Sequence, residues 1–192
     1  MKIVPTGIEN FKELIDKDAC YVDKTNLIEK VLKEKVVLYT RPRRFGKTLN
    51  MSMLYYFFSN KEKENAYLFD GLNISKNKEA LKHQNQYPVI FISLKDMKES
   101  KIENQLVKFS YIIARLLDQF EDILDDDIFN EREKKLLKRY HLNTASKNEL
   151  SESLLTISLC LRKYYHQKVI ILIDEYDVPL QAAYQHNYYD EW

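Results

Sequence analysis

Glycine, proline and cysteine are all scarce in this sequence. Its 192 residues include 3 Gly, 4 Pro and 2 Cys, whereas 45% are hydrophobic and 31% are charged. So little glycine and proline excludes collagen-like, low-complexity and disordered classes, and the length is sufficient for one domain with a sizeable core. Cys20 and Cys160 have no metal-ligand spacing around them, so we expect reduced, buried thiols, with a disulfide as the less favoured alternative.

The sequence also lacks a charge excess and a long apolar run. The formal net charge is +1, which does not support attraction of the whole protein to nucleic acid or to a membrane surface. No stretch approaches the ~20 apolar residues of a membrane helix, and the first residues do not resemble a signal peptide. These absences predict a cytoplasmic protein without a membrane partner.

Apolar periodicity predicts a single α/β domain over residues 1–192. Short β-branched runs predict strands, and three- and four-residue spacing predicts helices that alternate with them. This alternation favours helices packed on both faces of a mostly parallel sheet, in which ligands bind at the carboxyl ends of the strands. The predicted strands are residues 36–39, 89–92 and 169–173, and the main predicted helices are residues 8–15, 24–33, 102–120, 131–139, 150–165 and one that starts after Gly46.

The segment 41–48, Arg-Pro-Arg-Arg-Phe-Gly-Lys-Thr, fits the Walker A pattern except at its first position, where Arg41 replaces glycine. In such a loop, backbone N–H groups at a helix N-terminus surround phosphate oxygens. Lys47 would reach the terminal phosphates, the Thr48 hydroxyl would hold Mg²⁺, and Gly46 would leave room for the nucleotide. Two alternatives stay open, a basic turn with a solvated Lys47 and an arginine clamp for nucleic-acid phosphates.

The run 169–173 ends at Asp174-Glu175, which is the Walker B pattern. Asp174 would hold Mg²⁺ or its water ligands, and Glu175 would orient or deprotonate the attacking water. A glutamate directly after the magnesium aspartate is typical of ATPases rather than of GTPases. The alternative is an acidic strand end that is only solvated, and Asp177 would either support the site or cap the next turn.

Three strings then become recognisable: residues 21–25 (Tyr-Val-Asp-Lys-Thr), 41–49 and 173–177. Together they resemble the AAA-ATPase-like family, whose P-loop domain often precedes a PD-(D/E)xK nuclease-like region. In that family the missing first glycine is normal. The resemblance implies a three-layer αβα P-loop NTPase fold and the cofactors ATP and Mg²⁺. It implies catalytic Glu175 and Lys47, metal-binding Thr48 and Asp174, and nucleotide-binding Arg43, Arg44, Phe45, Gly46, Lys47, Thr48 and Leu49.

By analogy with related P-loop ATPases, Tyr21 and Thr25 would lie beside the adenine; the alternative is a helix cap with Tyr21 and Val22 in the core. Related chains continue into a further strand with a polar sensor residue, so we expect a fragment, or a partner or rearranged strand in that place. Two functions follow, an ATPase and a nucleotide-binding switch with little turnover that is accessory to a nuclease-like region. The expected partners are the nucleotide, a nuclease-like domain or a second copy, with nucleic acid only indirectly involved.

Overall fold

The computed structural model describes residues 4–40 and 45–191. It combines helices with two strands that pair in parallel, which is compatible with the predicted α/β class. The elements are α1 (Phe11–Asp16), α2 (Asn26–Lys33), α3 (Lys47–Phe58), α4 (Lys78–Leu81), β1 (Val89–Ser93), α5 (Ile102–Asp118), α6 (Glu131–His141), α7 (Lys147–Ser151), α8 (Ser153–Tyr165), β2 (Ile170–Asp174) and α9 (Asp177–Gln185). Within the described residues, no helix has both the length and the apolar character to span a bilayer.

Contacts divide the chain into two compact units, Met1–Val89 and Ile90–Trp192. The first unit has an aromatic core. Phe69 packs against Phe11, with ring centroids 5.3 Å apart, and meets Phe57 edge-on at 5.1 Å. Such edge-to-face pairs stabilise a core beyond the apolar area they bury. This core fixes α3, the helix that follows the predicted phosphate loop, because Met53, Phe57 and Phe58 have no exposed surface.

The second unit contains an apolar core between β1 and the helices. Ile90 and Ile92 of β1 pack with α5, α6 and α8, which contribute Ile113, Leu116, Leu117, Leu137, Tyr140, Ile157, Cys160 and Leu161. Capping residues set where two of these helices begin. Asn130 and Glu133 form a reciprocal capping box at α6, and Ser146 and Glu149 form another at α7.

The predicted helices α1, α2, α3, α5 and α6 and the strands β1 and β2 are present, with ends shifted by a few residues. The single helix predicted over 150–165 is instead α7 and α8, separated at Glu152. Cys20 is exposed, in contrast to the prediction of two buried thiols, whereas Cys160 is buried. Burial in this apolar core raises the pKa of the Cys160 thiol to about 11.

The strand predicted over residues 36–39 is wrong. These residues form no regular element, and Val36, Val37 and Leu38 are 88%, 45% and 68% exposed. The physical reason is pairing, because a strand is stable only when a neighbour satisfies its backbone N–H and C=O groups. Among the described residues, β1 and β2 are the only strands that pair in a sheet, so apolar, β-branched composition alone did not produce a third strand.

Candidate functional site

The predicted phosphate loop ends at a helix N-terminus. Gly46 is the N-cap of α3 and has a left-handed backbone, φ 73° and ψ 31°, and its carbonyl oxygen accepts the first helical hydrogen bond from the Asn50 N–H at 3.0 Å. Lys47 and Thr48 are therefore the first two helical residues. The first N–H groups of any helix have no intrahelical acceptor, and the helix dipole adds partial positive charge there.

The N-terminus of α3 differs from those of α6 and α7. Its first turn contains no acidic residue and its N-cap provides no side-chain hydrogen bond, whereas α6 and α7 each begin with a capping box. An N-terminus whose N-cap is glycine and whose first residue is a lysine is suited to an external anion. Lys47, Thr48 and Leu49 are half-buried and Phe45 is 59% exposed.

One hydrogen bond spans the predicted loop. Asn50, which is 2% exposed, donates from Nδ2 to the Tyr39 hydroxyl at 3.0 Å. This bond connects Tyr39, two residues before the loop, to the first turn of α3. The predicted nucleotide-binding residues Arg43 and Arg44, together with Arg41 and Pro42, lie outside the described residues.

The acidic end of β2 is the second part of the predicted site. Asp174 is 4% exposed, and its carbonyl oxygen accepts from the Leu94 N–H at 3.0 Å, which joins the carboxyl ends of β1 and β2. Its Oδ1 accepts from the Glu175 N–H at 3.0 Å. Glu175 has a φ of 54°, the left-handed region, and α9 begins two residues later. The strand end is therefore a sharp turn that carries a glutamate in a conformation that favours glycine.

Asp177 is the first residue of α9, and its Oδ2 accepts from the Gln181 side-chain amide at 2.7 Å. Among the described side chains, no group of three His, Cys, Asp or Glu is placed to hold a metal ion. A Mg²⁺ site built from one hydroxyl, one carboxylate, phosphate oxygens and water needs no such group. Thr48, in the first unit, carries a hydroxyl, and Asp174, in the second unit, carries a carboxylate.

Tyr21 and Thr25 have structural contacts in the first unit. Thr25 has no exposed surface, and its hydroxyl donates to Asp23 Oδ1 at 2.7 Å and accepts from the Ile74 N–H at 3.1 Å. The Tyr21 ring meets Phe11 edge-on, with centroids 5.5 Å apart, and burial raises the pKa of Tyr21 to about 12. Their placement beside an adenine stays a prediction.

Asp23 organises the same segment. Its carboxylate accepts from the Thr25 N–H at 2.8 Å and from the Asn73 N–H at 2.7 Å. Burial raises the pKa of Asp23, but the hydrogen bonds from Thr25 and Asn73 outweigh it and leave the pKa below the usual value. The alternative prediction placed both Tyr21 and Val22 in the core. Tyr21 is half-buried, whereas Val22 is 73% exposed.

Sequence reasoning missed two buried amides. Asn50 anchors the helical end of the loop, and Gln105, which has no exposed surface, holds the segment after β1. A signal for Gln105 was available, because it lies three residues after Ile102 on the apolar face of α5. A polar residue at a core position requires hydrogen-bond partners, and this one finds them in backbone.

Comparison with known proteins identifies a family. A family model described as a predicted AAA-ATPase, AAA-ATPase_like, matches residues 5–192. No curated protein and no solved structure matches the chain.

Proposed function

Because the chain belongs to the AAA-ATPase-like family, we propose that it binds ATP with Mg²⁺ through Lys47, Thr48 and Asp174 and hydrolyses it with Glu175. The finer fold that this function requires, a three-layer αβα P-loop NTPase, is part of the proposal. The observation that carries it is the start of α3, where a left-handed Gly46 is followed directly by Lys47 and Thr48 at the helix N-terminus.

Each residue has a chemical reason for its role. The Lys47 ammonium donates to phosphate oxygens and offsets the negative charge that develops during transfer. Thr48 and Asp174 are oxygen ligands for Mg²⁺, which neutralises phosphate charge when it is bound. Glu175 is a carboxylate one residue beyond Asp174 at the sheet edge, and it accepts a hydrogen bond from the attacking water and orients it.

The test is equilibrium binding of ATP in the presence of Mg²⁺, combined with a phosphate-release assay. Lys47→Ala is expected to lose binding, whereas Glu175→Gln is expected to keep binding and lose turnover. Lys78→Ala is the matched control, because Lys78 is also the first residue of a helix, is exposed and lies in the same unit. Equal ATP affinity in the wild-type protein and in Lys47→Ala would refute the proposal.

The assay also separates the two functions that the sequence allowed. Binding that depends on Lys47, without phosphate release in the wild-type protein, would identify a nucleotide-binding switch rather than an ATPase. Phosphate release that is lost in Glu175→Gln would identify the hydrolase.

A further inference from the structure

The segment after β1, residues 94–99, lies beside the acidic end of β2. The Leu94 N–H donates to the Asp174 carbonyl oxygen at 3.0 Å, so the two strands are still paired where they end. Neighbouring strands lie ~4.8 Å apart, and Lys95 follows Leu94 as Glu175 follows Asp174. The backbone therefore brings Lys95 to the same sheet edge as Asp174 and Glu175.

Two side chains from other parts of the second unit hold this segment in place. Gln105 of α5 has no exposed surface; its Nε2 donates to the Met97 carbonyl oxygen at 2.9 Å, and its Oε1 accepts from the Glu99 N–H at 3.2 Å. The Tyr188 hydroxyl donates to the Glu99 carbonyl oxygen at 2.7 Å. Met97 is itself fully buried. The backbone of the segment is thus fixed by buried hydrogen bonds. Removing one partner of such a bond is costly, because the other buried polar group is left unsatisfied.

The lysines of this fixed segment nevertheless point to solvent. Lys95 and Lys98 are both exposed, although Met97 between them is buried. Because the backbone of this segment is already fixed, a ligand that binds through a lysine has to order only the side chain and not the segment. An ammonium at an edge that also carries Asp174 and Glu175 suits a ligand with both an anionic group and a bound divalent cation, as a nucleoside triphosphate with Mg²⁺ has.

We propose that Lys95 contacts the terminal phosphate of the bound nucleoside triphosphate, and that Gln105 is the positioning residue that holds Lys95 at the sheet edge. This inference rests on the proposed nucleotide-binding function. It also explains why a buried amide interrupts the apolar face of α5.

The first experiment compares Lys95→Ala with Lys98→Ala. Both changes remove one exposed ammonium from the same segment, so their effects on net charge are equal. Equilibrium binding of ATP and of ADP is measured with Mg²⁺ for each variant. We expect Lys95→Ala to weaken ATP binding about tenfold, the usual effect of losing a hydrogen bond to a charged group, and to change ADP binding by less than about twofold. Lys98→Ala is expected to change neither affinity.

The second experiment tests the positioning role with Gln105→Leu, which keeps the volume and removes both hydrogen bonds. Its loss of ATP affinity should match that of Lys95→Ala, and the double variant should show no further loss, because both changes remove one contact. A purely structural Gln105 would instead give additive losses and would affect ATP and ADP alike. Thermal unfolding confirms which variants fold, and the comparison of Lys95 with Lys98 does not depend on Gln105→Leu.

The outcomes distinguish this inference from the proposed function. If Lys47→Ala loses ATP binding while Lys95→Ala binds ATP as tightly as Lys98→Ala, the role of Lys95 is refuted and nucleotide binding stands. If the wild-type protein does not bind ATP, or Lys47→Ala binds it equally well, both are refuted. An equal loss of ATP and ADP affinity in Lys95→Ala would also refute a contact with the terminal phosphate.

Discussion

Gly46→Ala separates the folding role of Gly46 from its proposed role in binding. Gly46 has a φ of 73°, and an added Cβ would meet no atom of the described residues within 4 Å, its chain neighbours aside. The folding cost therefore comes from backbone strain alone, which is about 1 kcal/mol for alanine in the left-handed region. In a protein of this size, 1 kcal/mol lowers Tm by about 2–4 °C.

Gly71 provides a matched control. It has the same φ of 73° and the same open surroundings for a Cβ, and it lies in the same unit. Gly71→Ala should therefore lower Tm about as much as Gly46→Ala. The two variants should differ in ATP affinity, because a methyl group at Gly46 would occupy the space that the nucleotide approaches, at the start of α3.

The assay is thermal unfolding of both variants without nucleotide, followed by equilibrium binding of ATP with Mg²⁺. We expect similar Tm losses and an ATP affinity that falls at least tenfold in Gly46→Ala alone, since close backbone approach to phosphate is lost. ATP affinity equal to that of Gly71→Ala would show that the start of α3 does not contact the nucleotide. A much larger Tm loss in Gly46→Ala than in Gly71→Ala would contradict the strain argument.

Two further predictions concern strain and protonation. Glu175→Gly should be about 1 kcal/mol more stable than Glu175→Ala, because glycine relieves the left-handed strain at a φ of 54°. At the exposed α9 position Gln181, the alanine variant should instead be more stable than the glycine variant. Chemical denaturation measures both pairs, and an alanine variant that is more stable than the glycine variant at both positions would contradict the strain argument. The pKa of Asp23 is lower in the folded protein than its unfolded value of 3.8, so the ionised carboxylate stabilises the fold at pH values above 3.8. This contribution is lost as the pH falls through the folded pKa. Denaturation at several pH values should therefore show the stability advantage of the wild-type protein over Asp23→Asn shrinking below about pH 4, and a constant difference would contradict the assignment.

Helices were predicted from the sequence more successfully than strands, for a physical reason. A helix such as α5 satisfies its hydrogen bonds within one segment, so the spacing of Ile102, Phe109 and Ile113 was enough to predict it. A strand depends on a neighbour that the local sequence does not specify. β1 and β2 pair with each other, whereas residues 36–39 have an equally apolar composition and remain irregular and exposed.

Motif spacing in the sequence could predict the local features of the candidate site. The motif predicted a helix that starts after Gly46, and α3 begins there with Lys47. Contacts between distant residues could not be predicted in the same manner. The hydrogen bonds from Asn50 to Tyr39 and from Asp23 to Asn73 depend on how separate elements pack, which neither periodicity nor motif spacing determines.

Glu175 shows what a structure adds to a motif. The motif predicted a carboxylate after the strand, but not that this residue would have a φ of 54°, a conformation that costs about 1 kcal/mol for any residue except glycine, asparagine or aspartate. At Gly46 the sequence has the residue that the backbone favours, whereas at position 175 it has a glutamate where glycine would be less strained. Strain that the surrounding structure maintains is common at functional sites, so the cost is understandable if the carboxylate itself is required. This reasoning favours a chemical role for Glu175 over a merely solvated strand end, and it does so independently of the family match.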